Sequence, residues 1–375
     1  MSDPLYPAYT VIAFITAFIV LIPLPWHLQA WNAGTCLFMI WTSISCLNLA
    51  INSILFHSTA VDLAPVWCDI SSRLLVAQGV AIPAASLCIN RRLYKIASIS
   101  SVARVTHAEK RRSVLVDMAI GLGIPLLQIV MQYIVSGHRY DIFEDIGCLP
   151  FTYNTPVAYP LSIVWPVVIG LVSALYCILT LRAFFKRRVQ FNQFLSRNNS
   201  LTANRYFRLM GLATTELLCT TPIAAYGMWL NIQNSPISPW ISWADTHFNY
   251  SQVDQYPALL WRASRNTVIS FEMTRWSPVF CGIVFFAFFG FAGEARRHYR
   301  EIFVHARTTM QRPFKKVTTG KQCPDSPLPS YAVHTDSVSL TFKPQVFMLD
   351  KFGEKGSPFD ITKSQISDSD SSTIV

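Results

Sequence analysis

Apolar and polar positions segregate along this chain into long apolar runs divided by short polar gaps. Seven runs stand out, at 7–24, 33–56, 66–89, 114–135, 157–181, 206–232 and 266–292. Crossing a bilayer as a helix takes about 20 apolar residues. A helix also satisfies its own backbone polar groups where no water can reach them. The pattern therefore predicts an all-α membrane protein, a seven-transmembrane helix bundle over residues 1–292. Pro83, Pro125, Pro166, Pro222 and Pro278 lie inside runs and predict bends of the kind that neighbouring helices tolerate. Over 293–311 the apolar residues Tyr299, Ile302, Phe303 and Ala306 recur at helical spacing among Arg296, Arg297, Arg300 and Arg307. That spacing predicts an amphipathic juxtamembrane helix on the inner leaflet. Residues 312–375 are polar with few apolar clusters, the composition of a disordered cytoplasmic tail. The Ser/Asp-rich stretch 364–373 suits phosphorylation and an inert tail equally.

Composition strengthens this picture. Hydrophobic residues make up 51% of the 375 and charged ones 14%, with a mean hydropathy of +0.33. A soluble domain carries about 25% charged residues. The net charge of +10 sits in gaps between runs and forms no basic domain, which speaks for membrane topology and against nucleic acid. Seven Lys or Arg residues fall in 90–112 and six in 182–205, whereas the gaps facing the other way hold Arg139, Arg262 and Arg265. The positive-inside rule then puts the N-terminus outside and the C-terminus inside. No Lys or Arg precedes Arg73, so the first run lacks a signal peptide's basic region and reads as a retained span.

Catalytic and metal motifs are missing. No H-E-x-x-H, G-x-S-x-G or C-x-x-C occurs, and no histidine cluster lies within a run, so the expectation is no enzyme, no metal and no cofactor. Every lysine lies outside the runs, which excludes a retinal Schiff base. A transporter is disfavoured because seven spans do not halve and no repeat is visible. Six cysteines sit in apolar runs as packing residues; Cys68 and Cys148 share the outer side, either as a disulfide or as two free thiols. Asp69 and Arg73 stand four apart, acid first, and Glu272 and Arg275 three apart. Charges at such depth pair with each other or with a ligand. Asp117 and Glu216 are buried acids by position; Glu216 suits an activation-sensitive pair and a static hydrogen bond equally. The outer segment 136–156 carries Asp141, Glu144 and Asp145, and 233–265 is rich in aromatics including Trp240 and Trp243, an interfacial belt or a lid. Asn249-Tyr250-Ser251 is a glycosylation sequon on the outer side; Asn198-Asn199-Ser200 is one on the inner side.

Several stretches in this order resemble the fungal lipopeptide mating-pheromone receptors, the a-factor-receptor branch of the class D G-protein-coupled receptors. They are Leu24-Pro25-Trp26-His27 with Asn32, Trp67-Cys68-Asp69-Ile70 with Arg73, and Asn90-Arg91-Arg92-Leu93-Tyr94. To these add Arg205-Tyr206-Phe207-Arg208-Leu209-Met210, Arg275-Trp276 with Pro278, and Phe288-Phe289-Gly290-Phe291 with Glu294-Ala295 and Tyr299-Arg300. The resemblance covers 1 to about 300; the short tail and compact loops look like the mushroom-type members of a mating-type locus. It implies a multi-pass plasma-membrane receptor for a secreted farnesylated peptide pheromone. Such a receptor acts through a heterotrimeric G protein alpha subunit on a mating MAP-kinase cascade, with homodimerisation left open. Asp69, Arg73, Glu144, Trp240, Trp243, Glu272 and Arg275 are then the expected ligand residues. Arg91, Arg92, Arg187, Arg188, Arg205, Arg208 and Arg296 are the expected G-protein surface.

Overall fold

The structure, a computed structural model, describes residues 3–98, 106–186, 203–234, 236–291 and 300. The chain divides into two units, Met1–Pro313 and Phe314–Val375, and the described residues all belong to the first. Apart from residue 300, the expected juxtamembrane helix and tail lie outside the described residues, as do the sequon at Asn198 and Arg187, Arg188 and Arg296.

The fold is mostly helical. We number the helices α1 (Ala8–Ile19), α2 (Leu24–Gln29), α3 (Ala33–Leu55), α4 (Pro65–Ser98), α5 (His107–Met118) and α6 (Ile124–Ile134). There follow α7 (Trp165–Lys186), α8 (Ala203–Asn234), α9 (Trp243–Thr246), α10 (Ala258–Trp261) and α11 (Arg265–Phe289). Among the described residues five helical segments are long and apolar enough to cross a membrane: Ala8–Gln29, Ala33–Leu55, Pro65–Ser98, His107–Ile134 and Trp165–Ala183. Two further long helices, α8 and α11, fall on the last two apolar runs. At the gap after the first apolar run, Leu24-Pro25-Trp26-His27 opens the short helix α2, with His27 buried against Phe289.

α4 is the central element, packed against α3, α6, α7 and α8, while α11 packs on α1, α3 and α8. The largest core lies where α3, α4, α8 and α11 meet, around Phe38, Met39, Ile89, Leu93, Leu212 and Phe285. Prolines mark the irregular turns. A π-helical turn at Ala119–Gly123 runs into Pro125, and another at Tyr159–Ile163 runs into α7 just before Pro166. Proline donates no backbone hydrogen bond, so the ladder slips by one residue there. Pro83, Pro222 and Pro278 sit inside α4, α8 and α11.

A three-stranded sheet departs from the all-helical expectation. Its order is β2 (Gly147–Leu149), β1 (Tyr140–Phe143), β3 (Val253–Tyr256), with β1–β2 antiparallel and β1–β3 parallel. It joins the segments after α6 and after α9 into one cap at the end of the bundle where α4 begins. A disulfide between Cys68 at the start of α4 and Cys148 in β2 ties the cap down, with a Cα–Cα separation of 5.2 Å. Gly147 beside it has φ +103°, and a Cβ there would stand 2.5 Å from Cβ of Asn52. Only glycine fits both the backbone and the space. Asn52 is itself fixed, donating to Ser71 Oγ at 2.8 Å and accepting from Trp67 Nε1 at 2.7 Å.

Candidate functional site

Below the cap, a crevice of about 460 Å³ opens between four helices. α4 supplies Leu75, Gln78, Gly79, Ile82 and Pro83, α7 supplies Pro166, and α8 supplies Ile223, Ala224 and Gly227. α11 supplies Ser270, Phe271, Met273, Thr274, Ser277 and Pro278, and Leu149-Pro150, leaving β2, form part of its wall. The glycines create the space: a Cβ added at Gly79 or Gly227 would meet nothing within 4 Å. Volumes of 300–1,000 Å³ with apolar walls and a few polar groups are those of ligand sites. One polar group here stands out. Gln78 is 8% exposed, and its Oε1 has no hydrogen-bond partner. A buried orphan acceptor costs about 1–3 kcal/mol, which a ligand N–H would recover.

The cap above is stitched by charge. Asp145, buried, accepts from the Ser58 N–H at 3.0 Å and from Arg262 Nη2 at 2.8 Å. Glu144 Oε2 accepts from the Ala258 N–H at 2.6 Å, and its carbonyl accepts from Trp261 Nε1. Tyr140 donates to Asp62 at 3.0 Å; burial first, and that bond second, push its phenol up to about 12.

Asp141 lies opposite Asp254 in the parallel register, and His138 Nε2 bonds Asp141 Oδ1 at 2.6 Å. These three side chains bring donor atoms within 4.8 Å of one another, the kind of histidine–carboxylate group that sequence spacing did not reveal. Burial raises the Asp141 carboxyl above its ordinary 3.8, while His138 pulls it back. The folded cap thus holds a proton that the unfolded chain releases. The Asp141 contribution to stability is full below that ordinary value and is lost as pH rises through the raised one. Asp141→Asn should flatten this pH dependence in thermal melts; an unchanged profile would contradict it.

The structure redistributes the charges that the sequence singles out. Asp69 does not pair with Arg73, as the four-residue spacing suggests. Its carboxylate takes the guanidinium fork of Arg139, with Nε at 2.8 Å, while Arg73 donates to Gln132 Oε1 and Tyr250 OH, both at 2.6 Å. The reason is reach: a bidentate fork from the cap offers Asp69 better geometry than its own helix neighbour. Arg275, 2% exposed, does meet Glu272 at 3.1 Å; it also meets Asp3 Oδ2 at 2.8 Å and lies 4.2 Å from the Tyr9 ring centre. This cluster faces α1. Trp240 and Trp243 are exposed, Trp243 stacking on His247. None of the seven expected ligand residues lines the crevice. Asn249 is exposed, with φ +54°.

At the opposite end Arg91 is committed to Asp117, Nη2 to Oδ1 at 2.6 Å, and Arg92 donates to the carbonyls of Trp31 and Ala30. Arg208 lies over the Phe289 ring at 5.9 Å. Arg205 is in α8, its side chain outside the described residues, as is that of Glu216.

Comparison with known proteins identifies the family. Residues 8–309 match the STE3 pheromone A receptor family. The Pheromone B alpha 3 receptor of Schizophyllum commune is 50% identical over 299 residues, 80% of this chain and 48% of that relative. Pheromone receptor 1 of Mycosarcoma maydis is 34% identical over 308 residues, 82% of this chain and 85% of its own. The Pheromone a factor receptor of Saccharomyces cerevisiae is 24% identical over 287 residues, 74% and 57% respectively. The chain spans about half the length of the Schizophyllum alpha relatives it matches. With the family matched over most of its helical part, this chain belongs to the STE3 pheromone A receptors, fungal mating-pheromone receptors of the membrane.

Proposed function

We propose that the protein is a seven-span G-protein-coupled receptor of the plasma membrane whose ligand is a secreted farnesylated peptide. The observation that carries this reading is the crevice under the cap, apolar, glycine-widened and holding one orphan amide at Gln78. A prenyl chain gains about 0.8 kcal/mol per buried methylene, so an apolar slot between helices supplies most of its affinity. The Gln78 amide gives the adjoining peptide unit one directional contact. With α8 and α11 taken as the sixth and seventh spans, the disulfide-tied cap shares the N-terminal face, and the basic gaps on the other face support reading the cap's face as outside. Asp69 with Arg139, and the aromatic segment with Trp240 and Trp243, then border the peptide's path.

Activation follows from differential contact. The crevice is walled by four helices, three of them, α4, α7 and α11, bearing prolines at its lining. A ligand that fits one packing of these helices better than another shifts the population between them, and only that difference can do so. The inner ends of the helices, Arg92, Arg205 and Arg208 among them, then meet the alpha subunit of a heterotrimeric G protein, upstream of a mating MAP-kinase response. Expression in pheromone-responsive cells lacking their own receptor, challenged with a panel of farnesylated peptides, tests this. A dose-dependent response to at least one peptide is expected. Uptake of a labelled solute by vesicles, with no response to any prenylated peptide, would instead make it a transporter or lipid-handling protein.

A further inference from the structure

A second recess, of about 290 Å³, lies at the end of the bundle away from the sheet, where α4 ends and α5 begins. Arg91 and Lys95 line it from α4; Glu109, Arg112, Ser113 and Val116 line it from α5. Its charges are unequally committed. Arg91 Nη2 is held by Asp117, yet the buried Nε of the same guanidinium has no acceptor. The Glu109 carboxylate receives the Thr106 N–H at 2.9 Å as half of a capping box. Among the described residues neither Lys95 nor Arg112 forms an ion pair.

We propose that this recess binds the phosphate-bearing headgroup of an anionic phospholipid. Three cationic side chains and a hydroxyl around a concave space match the several oxygens of a phosphate, which takes guanidinium forks and an ammonium together. Two observations favour a lipid over a soluble anion. α4 and the α5–α6 segment are both candidate membrane helices, so their adjoining ends stand at headgroup level. Past the recess, α5, the π-helical turn after it and α6 also turn exposed leucines outward, Leu115, Leu122 and Leu126, an apolar track for acyl chains. A free phosphate would have no use for that track. The leaflet assignment rests on the orientation proposed above; the binding itself does not.

The full chain in phosphatidylcholine nanodiscs, with and without about 5 mol% phosphatidylinositol bisphosphate, provides the test, since both leaflets carry the lipid whichever face is cytosolic. Bound lipid is counted by native mass spectrometry. The expected result is selective retention of the anionic lipid, weakened about tenfold or more in the Lys95→Gln/Arg112→Gln double variant. It should persist in Lys186→Gln, which removes an exposed cation at the end of α7 outside the recess. Soluble inositol trisphosphate should compete poorly, because it lacks acyl chains. Equal loss in Lys186→Gln, or no preference over phosphatidylcholine, would overturn the proposal. Competition by the soluble anion at lipid-like concentration would overturn the lipid assignment in favour of a free phosphate. A receptor that answers farnesylated peptides but fails here keeps its function and loses only this site.

Discussion

Leucine at Gly227 will abolish the response to farnesylated peptides at concentrations that saturate the unmodified receptor. The position lies on the α8 wall of the crevice, beside Ile223 and Ala224, and a Cβ there meets nothing within 4 Å, so the new side chain grows into the space a prenyl chain would use. Displacing three or four carbons of ligand at about 0.8 kcal/mol each costs about 3 kcal/mol. That is about a hundredfold in apparent affinity. Folding moves the other way, because replacing a helix-interior glycine by leucine gains about 0.5–1 kcal/mol. Cell-surface abundance should therefore hold while the dose–response curve moves, and Gly79→Leu on α4 should act alike. Gly170 provides the contrast: its Cβ would lie 2.4 Å from Thr221 Oγ1, so Gly170→Leu should lower abundance instead. A Gly227→Leu receptor with normal potency would remove the crevice from the account.

Alanine at Arg275 is expected to cost the most stability of any single change, about 3–5 kcal/mol. The guanidinium is buried between Asp3 and Glu272 and lies over the Tyr9 ring, while Tyr9 OH donates to the Arg275 carbonyl at 3.3 Å. Removing it leaves Asp3, itself 7% exposed, without its cation. Asp3→Asn should cost less, because Glu272 still neutralises Arg275, and the double variant Asp3→Asn/Arg275→Ala should recover part of the loss. Thermal melts in detergent measure all three. Equal melting of Arg275→Ala and the unmodified chain would mean that the cluster contributes no net stability.

What the sequence made legible was the set of long helices. Runs such as 33–56 and 66–89 reappear in α3 and α4 because membrane helices must be both long and apolar. The sheet stayed hidden. Its strands are Tyr140–Phe143, Gly147–Leu149 and Val253–Tyr256, too short for alternation to register, and one pairing joins residues more than a hundred positions apart. Charge was legible only within a helix. The spacing of Glu272 and Arg275 revealed their pair, but Asp3 entered from the far end of the chain, and Arg139 took Asp69 from Arg73. Arg91 read as a loop cation until folding brought Asp117, twenty-six residues on, within 2.6 Å.

The crevice was the least legible part, since four helices contribute and no stretch contains it. Its faint signature was small and kinked residues, Gly79, Pro83, Gly227 and Pro278, recurring in separate runs. Each has a duller reading as a packing residue. Polar residues attract notice in a sequence, whereas a site for an apolar chain is marked mostly by what is missing.

Nucleotide exchange tests the central claim most directly. The full chain is reconstituted in nanodiscs with a heterotrimeric G protein. Farnesylated peptides from the responsive panel are then compared with the same peptides lacking the prenyl group. The account predicts exchange stimulated by the prenylated form, weakened at least tenfold without it, and lost in Gly227→Leu. Equal stimulation by both forms, or by neither while a solute is carried across the membrane, would contradict it.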